Sequence, residues 1–87
     1  MSDEFAIQTI RQLSSHLRSL RRRLGLTQAQ LGRRVGVAQA RIGKIESNPG
    51  SVSVEQLLRL LTVLESELLI RPKAANSRVS AGTKATW

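Results

Sequence analysis

Gln28, Gln39, Arg41 and Lys44 are the polar residues of this sequence whose types and spacing suggest a shared task, with Arg33, Arg34, Ala38 and Ala40 set between them. Such groups hydrogen-bond flat polar edges and attract anions. Glutamine pairs bidentately with adenine, arginine and lysine donate to guanine, and a small alanine meets a thymine methyl. Arg33 and Arg34, just before Gly36, suit a phosphate backbone. Gln28 suits one too, if it opens a helix whose first N–H groups face outward. The chemistry implied is binding of double-stranded DNA by a slim helix. The major groove is about 12 Å wide and admits a helix that carries small or hydrogen-bonding side chains.

The other reactive residue types do not assemble into a catalytic or metal-binding set. His16 is the single histidine and there is no cysteine. Ser14, Ser15, Ser51 and Ser53 lack triad partners, and Glu46 and Glu55 are better explained by an ion pair and a helix N-terminus than as an acid–base couple. The expectation is therefore no enzyme, no cofactor and no metal.

Charge points the same way. The chain of 87 residues has a formal net charge of +8, and every ionised side chain from Arg11 to Lys44 is basic. A one-sign segment inside a folded pattern calls for a polyanionic partner. A basic helix lying on anionic membranes is the competing reading, but the basic stretch has no Trp or Phe to anchor it. No apolar run approaches the roughly 18 residues of a membrane span, and Asp3 and Glu4 argue against a signal peptide. Together with the absence of cysteine, this gives an expected location in the cytoplasm, associated with the nucleoid.

The elements that must position these residues are marked by local signals. Hydrophobic residues make up 40% of the chain and aromatics only 2%, so one small aliphatic core is expected. After a leader over 1–8, Thr9 to Gln12 and Thr27 to Gln30 have the spacing of capping boxes, and Ser53 to Gln56 has it again. Ile10, Leu13, Leu17, Leu20 and Leu24 predict one helical stripe, closed by Gly25. Leu31 and Val35 predict a second short helix, stopped by Gly36, and Ile42 and Ile45 a third over about 38–46. After the Asn48-Pro49-Gly50 turn, Val54, Leu57, Leu58, Leu61 and Leu64 predict the buried face of a fourth. Residues 9–65 then form one helix-turn-helix domain. Residues 66–72 read as a short strand closed by Pro72, and residues 73–87 as a flexible tail.

Residues 10–64 resemble the phage-repressor, or XRE, class of helix-turn-helix proteins. The stretch "LGLTQAQLGRRVGVAQARIGKIE" carries that resemblance. It implies an all-α bundle of four to five helices of the lambda-repressor-like type. Gln28 and Gln39 would then touch DNA, and Ala40 and Lys44 would face the bases. It also implies a buried structural ion pair between Arg21 and Glu46. Ala38 departs from the usual Ser or Thr, removing a cap worth about 1 kcal/mol. More narrowly, "IESNPGSVSVEQLLRLLTVLESELLIRP" resembles the HipB antitoxins of HipBA-type toxin–antitoxin systems. That likeness implies a homodimeric autorepressor that binds operator DNA and a HipA-like Ser/Thr kinase toxin; a stand-alone XRE-family repressor is the alternative.

A dimer is expected on physical grounds as well. A lone strand leaves its N–H and C=O groups unpaired, and the chain offers no second convincing strand. Pairing Leu68, Leu69 and Ile70 with their copies across a two-fold axis solves this, with Leu60 and Val63 filling the same interface. Two recognition helices about 34 Å apart would read an inverted repeat. Trp87, an indole at the end of a polar tail, is expected to anchor a protein partner.

Overall fold

The computed structural model describes residues 4–73, and among them the chain is all-helical: α1 (Ile10–Arg23), α2 (Gln28–Val35), α3 (Gln39–Ser47), a 3-10 turn (Pro49–Ser51) and α4 (Val54–Val63). Trp87 and the tail beyond Lys73 lie outside the described residues.

The helix starts follow from their caps. Thr9 and Thr27 each accept a hydrogen bond from the N–H three residues on, and Gln12 and Gln30 reach back to the cap N–H, so both capping boxes are complete. The ends of α1, α2 and α4 are set by left-handed residues. Gly25 (φ 71°) closes α1, with Leu26 N–H donating to the Arg21 carbonyl at 3.2 Å and Gly25 N–H to that of Arg22 at 2.9 Å. At the end of α4, Glu65 takes the same role at φ 56°, a conformation that a side chain makes unfavourable.

Leu17, Leu26, Leu31, Ile42, Ile45, Leu60, Leu61 and Leu64 form the core. Burying a leucine or isoleucine completely contributes about 1.5–3 kcal/mol, so these few side chains carry the fold. The third helix packs on both α1 and α2, and α4 lies against α2. α3 is thereby held across the other helices.

Several positions differ from the sequence expectation. Leu60, assigned to the dimer interface, is 1% exposed and belongs to the core. Val54 and Leu58, assigned to the buried face, are 63% and 43% exposed. The cause is an ambiguity in α4: Val54, Leu57, Leu58 and Leu61 make one helical stripe, and Leu57, Leu60, Leu61 and Leu64 make another. Packing selects the second. Ile10, at the first position of α1, is 51% exposed, with only its end near Gly50. Residues 66–73 form no strand within this chain, and Leu68, Leu69 and Ile70 stand exposed. A strand needs a neighbour, and no described segment offers one.

Candidate nucleic-acid interface

The angle of α3 depends on two glycines. Gly36 closes α2 at φ 91°, and Val37 N–H donates back to the Gly32 carbonyl at 2.8 Å. Gly32 itself must lack a side chain. A Cβ there would stand 2.6 Å from the Val37 carbonyl oxygen, a backbone atom that cannot swing aside. The turn therefore folds down onto α2 and sends α3 away at a fixed angle.

Glu46 then ties α3 to both preceding helices. Its carboxylate is buried and accepts from Arg21 Nε at 2.6 Å and Nη2 at 3.2 Å, and from Gln28 Nε2 at 3.1 Å. Arg21 Nη1 donates to the Leu26 carbonyl at 2.9 Å, so the guanidinium also pins the α1–α2 connection. Arg18 Nε lies 3.9 Å from the same carboxylate, and the Ser14 hydroxyl donates to the Glu46 backbone carbonyl. Such a pair is satisfied on all sides, which is what a buried charge requires.

Burying Glu46 removes the one acid of α3 from its surface. Gln39, Ala40 and Lys44 are exposed on the helix, Ala38 is exposed at its N-cap, and Arg33 and Arg34 are exposed in the last turn of α2. Those two arginines and Lys44 also stand at helix C-termini, where cations contribute about 0.3–1 kcal/mol. Ala38 supplies no side-chain cap to α3. The outward side of α3 thus forms a ridge of an amide, a small side chain and a cation, with Arg33 and Arg34 exposed separately at the end of α2.

The residues named from the sequence divide into groups. Gln39, Ala40, Lys44, Ala38, Arg33 and Arg34 lie open to solvent. Arg21 and Glu46 are brought together inside. Gln28 is half-buried with its amide on Glu46, so its nitrogen serves the fold as well as any outward contact. Arg41 is half-buried, with Nη2 donating to Gln56 Oε1 at 2.7 Å. Val63 is half-buried against the core. Gly32, Ser14 and Gln56 were missed. A glycine inside a helix was the available signal for Gly32; Ser14 and Gln56 gave none, because their partners are far along the chain.

With this geometry in view, the helix-turn-helix family pattern matches residues 17–69, which is more than half of the chain. The chain belongs to the XRE-type helix-turn-helix family of DNA-binding regulators. Solved structures with the same fold include HipB in an O1–O2 complex, 26% identical with TM-score 0.72, covering 79% of this chain and 100% of that one. A HipA–HipB–O2–O3 complex contains a chain 25% identical with TM-score 0.73, covering 82% of this chain and 100% of that one. A HipB variant with an O2 20mer is 26% identical with TM-score 0.74, covering 83% and 100%. No curated protein sequence matches. Among the described residues, no helix of this family member is long and apolar enough to cross a membrane.

Proposed function

We propose that this chain is an operator-binding antitoxin and autorepressor that works as a homodimer in the cytoplasm and holds a HipA-like kinase. The observation that carries the reading is the α3 ridge, where Gln39, Ala40 and Lys44 are exposed while the only acid of the helix is buried in an ion pair. Gln39 reads adenine, Ala40 meets a thymine methyl, Lys44 donates to guanine, and Arg33 and Arg34 hold phosphates. Ala38 lies where α3 enters the groove.

The dimer is supported by what the protomer leaves in water. Leu68, Leu69 and Ile70 are 51%, 59% and 89% exposed, and Val54 and Leu58 are exposed apolar residues of α4. Pairing 66–72 with its copy satisfies the backbone and brings the two sets of Leu68, Leu69 and Ile70 together. Val63 stays at the margin. HipB structures solved with O1, O2 and HipA support the choice of DNA and kinase as partners. Trp87 remains the proposed anchor for the kinase.

Sedimentation and DNA binding test this together. Wild-type protein should sediment as a dimer and bind an inverted repeat at nanomolar to tens of nanomolar concentration, while Leu69→Lys should sediment as a monomer and lose most operator affinity. A Leu69→Lys protein that stays dimeric removes the carboxy-terminal segment from the interface. Recovery of no kinase by the wild-type protein from its own host would leave the stand-alone repressor.

A further inference from the structure

Gln56 does not do what its position predicts. It stands three residues after Ser53, where its side chain would complete a capping box by reaching back to the cap N–H. Gln12 and Gln30 both do so at the equivalent positions of α1 and α2. Ser53 does accept from the Gln56 N–H at 3.1 Å, but the Gln56 side-chain oxygen turns to Arg41 and accepts from Nη2 at 2.7 Å. α4 thus gives up half a cap to hold an arginine of α3.

The choice of acceptor matters. Arg41 is in the first turn of α3, half-buried, beside exposed Gln39, Ala40 and Lys44. Among the described residues, neither Gln39 nor Lys44 has a side-chain hydrogen bond to the protein, so of the three long polar side chains Arg41 alone meets a partner on another helix before any ligand arrives. A carboxylate at position 56 would fix the guanidinium too, but would cancel its charge next to a polyanion. An amide oxygen orients it and leaves the charge intact. One of five N–H donors is used, and the rest of the rigid planar fork is left in a set direction.

We infer that Gln56 is a positioning residue that aims Arg41 at one base edge, and so helps to set operator sequence preference from outside the recognition helix. This rests on the reading of α3 as the helix that enters the groove. Fixing a five-donor fork before binding lowers the ordering cost on the DNA and narrows the bases it can serve.

The test uses the full chain as wild type, Gln56→Ala, Arg41→Ala, the double variant and Gln39→Ala. Each is carried through selection from random duplex DNA and fluorescence anisotropy on the wild-type selected site. Gln56→Ala and Arg41→Ala should each weaken binding about 3- to 10-fold, the range of a coupled pair. Both should relax the same base pair of each half-site, and the double variant should bind no worse than Arg41→Ala alone. Gln56→Glu, which keeps the acceptor, should retain the base preference while reducing the salt dependence of binding. An unchanged preference in Gln56→Ala, or losses that simply multiply in the double variant, overturns the inference. If Gln39→Ala loses specificity and Gln56→Ala does not, only the role of Gln56 falls; if Gln39→Ala changes nothing, recognition by α3 falls with it.

Discussion

Replacing Glu46 with alanine removes the acceptor for two Arg21 nitrogens, at 2.6 and 3.2 Å, and for the Gln28 amide at 3.1 Å. Arg21, itself only 9% exposed, is left with the Leu26 carbonyl for its charge. Removing one partner of such a buried pair costs about 3–5 kcal/mol. A domain of about seventy residues has a total stability of roughly 4–10 kcal/mol, so the loss is about three tenths of it or more. Each kcal/mol lowers the melting temperature of a domain this size by about 4–8 °C, which predicts a fall of about 12 °C at least. Urea and thermal unfolding followed by circular dichroism at 222 nm read both quantities. The double variant Arg21→Met/Glu46→Leu should recover most of the loss, because the cost comes from an orphaned charge more than from the missing attraction. A loss below about 1 kcal/mol for Glu46→Ala, or a double variant worse than the single, would refute the assignment of Glu46 as the tie between α3 and the body.

Gly32→Ala should destabilise by about 1–3 kcal/mol in the same unfolding assay, because its Cβ would meet the Val37 carbonyl at 2.6 Å; a neutral result would mean that the turn has room to move. Glu65→Gly should stabilise by about 0.5–1 kcal/mol through relief of the left-handed conformation at φ 56°, and an unchanged midpoint would argue against that strain. Arg34→Ala should weaken specific and random DNA alike and reduce the salt slope by about one charge; an unaltered slope removes it from the phosphate contacts. Ala38→Ser should raise stability by about 1 kcal/mol by restoring a cap that α3 lacks, read as a shift of the urea midpoint, and no gain would mean that its first N–H groups are satisfied otherwise.

Much of the fold is legible along the chain because its signals are local. Thr9, Thr27 and Ser53 start helices, and Gly25 and Gly36 end them, through bonds that span only a few residues. The facing of α4 was not legible, since two overlapping leucine stripes satisfy the same helical period and only packing against α2 chooses between them. That is why Leu60 moved to the core and Val54 and Leu58 to the surface. Glu65 gave no warning of its left-handed φ, because a glycine usually announces that position. At the candidate site, residue types and helical spacing were enough to name the exposed ridge. The diversion of Gln56 to Arg41 was hidden, as the two are fifteen positions apart and Gln56 has a ready local use in its own cap.

Selection of bound fragments from random duplex DNA with the wild-type full chain tests the central claim, that two copies of α3 enter adjacent major grooves. The account predicts enrichment of an inverted repeat whose half-sites are centred about one helical turn, roughly 34 Å, apart. Enrichment of a single unrepeated motif, or of no motif at all, would contradict it.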